Sequence, residues 1–173
     1  VARKLAPDNR VICAAPAYLE RHGEPKSLAD LDHHNCLSAG AQEVWRVEGP
    51  NGHEQLRLKG NIRSNSAEFV RDAMLAGLGI GLRSTWDIGA ELKSGDLKVV
   101  LPQYRGSSNV AIYAVYPCRE FMPAKVNALI EFLAELYGPE PYWDKDLAAA
   151  KKPSACVVSR PAPRAGRAAA AAR

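Results

Sequence analysis

The stretch FVRDAMLAGLGIGLRSTW, residues 69–86, places Gly77, Gly79 and Gly81 at alternate positions. Before them, apolar residues recur at the spacing of a helix with one apolar face, and these are Phe69, Val70, Ala73 and Met74. Gly77 supplies the left-handed conformation in which many helices end. Gly79 and Gly81 then leave one face of a short strand without side chains, so that either a neighbouring helix or a ligand can approach its backbone closely.

These glycines do not have the arrangement of a nucleotide-binding loop. A dinucleotide fingerprint carries its glycines after a strand and at the start of a helix, so that the helix N-terminus faces the pyrophosphate. Here Gly77 follows a helix, the spacing is GxGxG instead of GxGxxG, and no GK[ST] follows. The stretch therefore predicts a helix-to-strand joint and no phosphate cradle.

Helical and strand signals alternate on both sides of this joint and indicate an α/β fold. Strand signals cover 11–16, a hairpin with its turn at 49–52, 78–82, 96–102 and 109–117. Helical signals cover 17–23, 27–34, 64–77, 84–95 and 121–138. The last helix starts at Pro123 and carries Val126, Leu129, Ile130, Leu133 and Leu136 on one face, and we expect that face to pack on a sheet.

The formal net charge of +4 is unevenly distributed along the 173 residues. Residues 1–143 hold 16 basic and 17 acidic side chains, whereas the last 30 residues hold 7 basic and 2 acidic side chains. A near-neutral globular part has no electrostatic footprint for nucleic acid. The Ala-, Pro- and Arg-rich segment 144–173 has few large apolar residues, and we expect it to be a disordered tail. Such a basic tail either touches nucleic acid or is a solvated extension.

The cysteines and histidines favour free thiols over a metal centre. Four cysteines lie far apart at 13, 36, 118 and 156, and no CxxC pair is present. His33, His34 and Cys36 are close in sequence, but neighbouring residues on a short loop seldom converge on one ion. We predict no metal and no cofactor. No apolar run approaches the roughly 20 residues of a membrane span, which makes a cytoplasmic protein without membrane contact the default expectation.

The candidate binding residues precede the glycines. RSNSAEF places Ser64, Asn65 and Ser66 where a strand ends and a helix begins. The free N–H groups and the positive end of the helix dipole form an anion site there, and the side chains add donors. The alternative is a plain helix cap, with Ser66 and Glu68 stabilising the first turn and no ligand involved.

The order of the motifs resembles the effector-binding domain of LysR-type transcriptional regulators. The resemblance covers about residues 4–137 and includes VICAAPAYLERHGEPKSLADLDHHNCL, the segment GPNGHEQLRLKGNIRSNSAEFVRDAMLAGLGIGL, LKSGDLKVVLPQY and VYPCREFMPAKVNALIEFL. The family implies a periplasmic-binding-protein-like (type 2) α/β fold, with two lobes and a small-molecule effector in the cleft between them.

By this resemblance the chain comprises the second lobe and part of the first. Residues 1–10 would be the crossover or a remnant of the first lobe, and residues 11–143 a partial effector-binding domain. The winged helix-turn-helix and most of the first lobe would precede Val1. A second lobe without its partner would expose apolar surface and strand edges, and we expect the 173-residue chain to dimerise or aggregate.

The resemblance also assigns effector-binding residues, which are Pro16, Ser64, Asn65, Ser66, Gly81 and Arg83. Pro is common in the family where Arg83 stands. Arg83 either adds a cation beside an acidic effector or is solvated. We interpret Asp87 and Glu91 as a solvated helix face.

The leading hypothesis is therefore the effector-sensing part of a transcription regulator. Its partners would be a small-molecule effector, an organic anion as the candidate class, further copies of the full-length protein, and DNA through the missing N-terminal domain. The alternative is a transport-type solute-binding protein of similar fold. No Ser/His/Asp or Cys/His arrangement supports an enzyme.

Overall fold

A computed structural model describes residues 1–40, 43–116, 123–145 and 147. Its strands are β1 (Ala2–Pro7), β2 (Arg10–Ala14), β3 (Cys36–Ala39), β4 (Val44–Gly49), β5 (Gly52–Arg57), β6 (Arg63–Ser64), β7 (Ile80–Ser84), β8 (Lys98–Val99), β9 (Arg105–Gly106) and β10 (Ala111–Val115). Its helices are α1 (Pro16–His22), α2 (Ala67–Leu75), α3 (Thr85–Ser94) and α4 (Ala124–Tyr137), with a 3₁₀ helix at Ala29–His33. Strands and helices alternate, as the sequence pattern predicted.

One mixed sheet contains most of these strands. Its order within the described residues is β5-β4-β9-β2-β7-β3-β6, and β8 also pairs with β2. β3 runs parallel to both β6 and β7, whereas β2 runs antiparallel to β7. The ends of β3, β6 and β7 therefore lie at one edge of the sheet, together with the start of β2. We call this edge the C-terminal edge.

Alternating residues of β2 divide the interior into two cores. Ile12 and Ala14 face a core shared with α1 and the β4–β5 hairpin, to which Tyr18, Trp45 and Val47 contribute. On the other face, Cys13 enters a core beneath α2 and α3, whose members include Leu37, Val70, Met74, Ile88 and Leu97. The helices α2 and α3 thus cover one face of the sheet, and α1 and the hairpin cover the other.

The end of α2 confirms the predicted joint. Gly77 has φ of 70°, its N–H donates to the carbonyl of Met74 at 2.9 Å, and the next N–H, of Leu78, donates to Ala73 at 3.0 Å. This pair of bonds is the Schellman motif, in which a residue of positive φ closes the helix. One helical expectation is wrong: Phe69 is 54% exposed, so the apolar face of α2 consists of Val70, Ala73 and Met74.

A separate two-stranded ribbon lies beside the main sheet. β1 pairs antiparallel with β10, and α4 contacts β1 through the ion pair of Arg3 with Glu131 at 2.5 Å. Ile130 is the buried residue of α4 among the described side chains, whereas three other apolar residues are about half exposed: Leu129, Phe132 and Leu136. The expectation that this apolar face packs on a sheet is therefore wrong for Leu129 and Leu136, whereas Val126, Ile130 and Leu133 are at least partly buried.

Two other predicted elements are shorter than expected. The helical signal at 27–34 corresponds to the 3₁₀ helix, in which the hydroxyl of Ser27 and the carboxylate of Asp30 are hydrogen-bonded at 2.9 Å. The strand signal at 96–102 shrinks to β8, because Leu101 adopts a positive φ of 50° before Pro102. Of the predicted tail at 144–173, all but residues 144, 145 and 147 lie outside the described part of the chain.

The two glycines of the bare strand face differ in what fills the space above them. A Cβ at Gly79 would overlap the backbone oxygen of Asn35, whereas a Cβ at Gly81 would overlap the flexible end of Met74. We expect Gly79→Ala to lower the free energy of unfolding by about 3 kcal/mol and Gly81→Ala by about 1 kcal/mol, because only Met74 can adjust. Urea unfolding of both variants measures the difference, and equal costs or the reverse order would contradict this packing.

Candidate ligand-binding site

Ser64, Asn65 and Ser66 form the turn that joins β6 to α2 at the C-terminal edge. The carbonyl of Ser64 accepts from Gly40 N–H at 2.7 Å, which ties the turn to the end of β3. The Ser64 hydroxyl accepts from the N–H of Ser66 at 3.1 Å, and the Ser66 hydroxyl accepts from the N–H of Phe69 at 3.2 Å. The capping role of Ser66 is therefore confirmed.

The first turn of α2 also has the donors that an anion needs. Asn65, Ser66, Ala67 and Glu68 are exposed. Within the described residues, the N–H groups of Ala67 and Glu68 have no acceptor, since the first hydrogen bond of the helix runs from Val70 to the carbonyl of Ser66. Unpaired N–H groups at the positive end of a helix dipole can bind a carboxylate or phosphate oxygen.

Gly81 lies one strand further into the sheet and is covered by protein. It pairs with Cys13 of β2 and Leu37 of β3, and Met74 fills the space beside its Cα. Of the two explanations for the bare face, close approach of a helix holds at this position. The prediction that Gly81 contacts the effector is therefore wrong. Met74 of α2 covers the side of Gly81 that carries no side chain, and no room remains there for a ligand.

Arg83 is buried, with 7% of its surface exposed, and its guanidinium pairs with the carboxylate of Asp87 on α3. Arg71 of α2 and Glu91 of α3 form a second pair beside it. The interpretation of Asp87 and Glu91 as a solvated face is therefore wrong, as is a solvated Arg83. The carboxylate of Asp87 instead neutralises Arg83, and that of Glu91 neutralises Arg71, because a buried charge needs a partner of opposite sign.

Pro16 is not near the other predicted residues. Ala14, at the end of β2, pairs with Ile80 at the start of β7, so that Pro16 begins α1 at the edge opposite to Ser64–Ser66. The antiparallel direction of β2 is the reason, because it carries the end of this strand away from the C-terminal edge. The predicted set thus does not form one site, and Ser64, Asn65 and Ser66 are the members that stay together.

The C-terminal edge also contains residues that sequence reasoning missed. The hydroxyl of Ser84, at the end of β7, donates to the carboxylate of Asp8 at 3.1 Å. The N–H of Thr85 donates to the carbonyl of Asn9 at 2.8 Å. The sequence pattern indicated Ser84 and Thr85 only as candidate caps of α3. It did not indicate Asp8 and Asn9, because strand pairing is what brings the residues before β2 to this edge.

The histidines and cysteines near residues 33–36 have separate partners. The Cys36 thiol lies 3.6 Å from the carbonyl of Leu31, and burial raises the pKa of Cys36 to about 12. His34 Nδ1 lies 3.2 Å from the hydroxyl of Tyr18, and burial, followed by the charge of His22, lowers the pKa of His34. The described residues contain no cluster of three potential metal ligands.

Of the predicted free thiols, Cys13 and Cys36 are confirmed as buried and unpaired. Burial raises the pKa of Cys13 well above the ordinary value of a thiol, which keeps it protonated. Cys118 and Cys156 lie outside the described residues. Across the described part of the chain, no helix has the length and hydropathy of a membrane-spanning segment.

Residues 1–138 match the model of a protein family, the LysR substrate binding domain. The chain is 38% identical over 141 residues to the HTH-type transcriptional regulator DmlR of Escherichia coli K12, covering 79% of this chain and 45% of the relative. It is 37% identical over 138 residues to the HTH-type transcriptional activator TtdR of the same strain, covering 78% of this chain and 44% of the relative. The chain thus spans less than half the length of these curated relatives.

Solved structures of regulatory domains share the fold. The full-length virulence activator AphB of Vibrio cholerae superposes with a TM-score of 0.70 and 26% identity, over 78% of this chain and 47% of that one. The regulatory domain of CrgA from Neisseria meningitidis superposes with a TM-score of 0.68 and is 26% identical in sequence. The match covers 80% of this chain and 69% of that one. These similarities confirm the predicted periplasmic-binding-protein-like α/β fold.

The buried pair of Arg83 and Asp87 predicts a strong energetic coupling. We expect Arg83→Met and Asp87→Leu each to lower the free energy of unfolding by about 3 kcal/mol, because each leaves a buried charge without its partner. The double variant should cost far less than the sum of the two. A double-mutant cycle by urea unfolding measures the coupling.

The exposed pair of Arg63 with Glu43, at 3.4 Å, is the matched control. Its coupling should be below about 1 kcal/mol, since solvent screens exposed ion pairs. Additive effects at positions 83 and 87, or equal couplings for the two pairs, would contradict the buried interaction.

Proposed function

The chain belongs to the LysR substrate-binding domain family, and from that premise we propose that it binds a small organic anion at the N-terminal end of α2. LysR substrate-binding domains are the ligand-binding parts of transcriptional regulators, and the relatives at 37–38% identity are regulators. The proposed ligand would lie at the C-terminal edge of the sheet, in a cleft completed by the rest of the first lobe.

The exposed first turn of α2 is the observation that carries this proposal. Two N–H groups there lack acceptors within the described residues, and the Asn65 and Ser66 side chains lie beside them without a covering element. The turn is fixed from two sides by the bonds of Ser64 to Gly40 and to Ser66. A preorganised set of donors binds an anion at a small entropic cost.

The functional consequence follows from the way such a ligand would act. An effector that binds one arrangement of the two lobes more tightly than another shifts the population towards it. In the full-length regulator we propose that this shift changes the arrangement of a cytoplasmic homo-oligomer on its promoter. The N-terminal domain of such a regulator would contact the DNA.

Two other classes have less support. The curated relatives are transcriptional regulators, which favours the regulator over a transport-type solute-binding protein. These relatives are also not enzymes, so they give an enzymatic role no support.

Replacing Ser66 tests the proposed anion site. A panel of acetate, succinate, citrate and benzoate, with the matching amides as neutral counterparts, is screened by thermal shift on the 173-residue chain. We expect at least one carboxylate, but not its amide, to raise the melting temperature. Ser66→Ala should lower the stability of the free chain by about 1 kcal/mol through loss of the cap, and should also remove the ligand shift.

Ser94→Ala is the matched control, because it removes a hydroxyl that bonds the carbonyl of Glu91 at the other end of a helix, α3. This variant should keep the full ligand shift. The proposal is wrong if the shift survives in Ser66→Ala, if Ser94→Ala removes it equally, or if no carboxylate shifts the parent chain.

A further inference from the structure

Residues 138–144, which follow α4, lead the chain from the ribbon back to the main sheet, and we call them the strap. Gly138 ends α4 with a φ of 57°, and its N–H donates to the carbonyl of Ala134 at 3.0 Å. Pro141 is fully buried, and its carbonyl accepts from the N–H of Asp144 at 2.9 Å. The strap is therefore a folded turn that packs on the rest of the protein.

The strap packs against α3 at Gly89. A Cβ at this buried glycine would lie 3.3 Å from the carbonyl oxygen of Trp143. Glycine inside a helix costs about 1 kcal/mol relative to alanine, and here it lets the strap approach α3 closely. The indole of Trp143 also contacts the ring of Tyr137, the last residue of α4, edge-on with the centroids 5.1 Å apart. Trp143 thus lies between α4 and α3.

The strap also binds a residue that joins the ribbon to the main sheet. Within the described residues, two short linkers connect these units: residues 8–9 between β1 and β2, and residues 107–110 between β9 and β10. The side-chain amide of Asn9 donates to the carboxylate of Asp144 at 2.7 Å, and the Asn9 carbonyl accepts from the N–H of Thr85. Packed units rotate relative to each other at short linkers of this kind. Asp144 therefore binds at a candidate hinge.

Other bonds fix the two linkers to the main sheet, but they do not involve α4. The hydroxyl of Ser84 donates to the carboxylate of Asp8 at 3.1 Å. The N–H and the hydroxyl of Ser108 both donate to the carboxylate of Glu48 on the hairpin, each at 2.8 Å. The strap differs from these bonds because it begins at the end of α4 and reaches both α3 and a linker.

We infer that the strap restrains the movement of the ribbon and α4 relative to the main sheet. It does so at two anchors, which are the bond of Asn9 with Asp144 and the packing of Trp143 on α3. The consequence for regulation rests on the proposed function, in which an effector shifts the population between two arrangements of the lobes. Contacts that one arrangement keeps and the other loses contribute to the free-energy difference between them. The strap would thus help to set the effector concentration at which the shift occurs.

The distance between α4 and the main sheet tests the inference in the 173-residue chain without ligand. Nitroxide labels at Lys125→Cys on α4 and Asp72→Cys on α2 report this distance by double electron–electron resonance, and both positions are exposed. The labelled chain carries Cys118→Ser and Cys156→Ser, and the two remaining cysteines are buried. We expect one narrow distance distribution in this parent.

Weakening either anchor should broaden the distribution about twofold or more, because the linkers then permit rotation. Asn9→Ala removes the bond to Asp144 without altering the core. Gly89→Leu places a side chain where the strap packs on α3 and should displace Trp143.

Matched controls separate the strap from general effects of these substitutions. Ala90→Leu adds the same side chain at the exposed neighbouring position of α3, and Asn51→Ala removes an amide from the exposed hairpin turn. Both should keep the width of the parent. A parent distribution as broad as those of the variants, an unchanged width in Asn9→Ala, or equal broadening in Ala90→Leu would overturn the inference. Because no ligand is present, these outcomes do not depend on the proposed anion site, which the thermal-shift panel tests separately.

Discussion

The close approach of α2 to the sheet depends on the contact of Met74 with the backbone of β7 at Gly81. Met74 is fully buried, and the missing side chain at Gly81 is what allows the helix to approach so closely. The Schellman motif at Gly77 then sets the direction in which the chain leaves α2 for β7. These contacts hold the last turns of α2. The first turn of α2 therefore lies at the edge of the sheet where β3, β6 and β7 end.

Two ion pairs hold α3 beside α2 on the same face. Arg83 with Asp87 joins the end of β7 to the first turn of α3, and Arg71 with Glu91 joins α2 to α3. Buried pairs contribute less to stability than apolar packing of similar volume, but breaking one is costly. Together the two pairs connect α3 to α2 and to the end of β7, on the face of the sheet that these two helices cover.

Local signals in the sequence predicted the local structure well. Gly77 and Gly95 both end helices in the left-handed conformation, as expected from glycine after an apolar periodic segment, and the hairpin turns at 50–51. The capping hydroxyl of Ser66 was likewise predictable, because a cap involves residues three positions apart. The resemblance to the LysR family added the fold, which no single local signal specified.

What sequence could not predict depends on pairing between distant segments. Pro16 lies away from Ser64 because β2 is antiparallel to β7, and nothing within β2 indicates that direction. The partner of Arg83 is four residues along the chain, yet its burial depends on α2 and the sheet around it. The strands β3, β6 and β9 escaped prediction because they are short and are stabilised by their neighbours in the sheet.

The most direct test of the account is the amide spectrum of the first turn of α2. In ¹H–¹⁵N correlation spectra of the 173-residue chain, titration with the carboxylate that gives the largest thermal shift should move the Ala67 and Glu68 signals most. Their N–H groups are the donors without acceptors in the described structure. If those two signals stay in place while the ligand saturates the protein, the N-terminus of α2 is not the anion site.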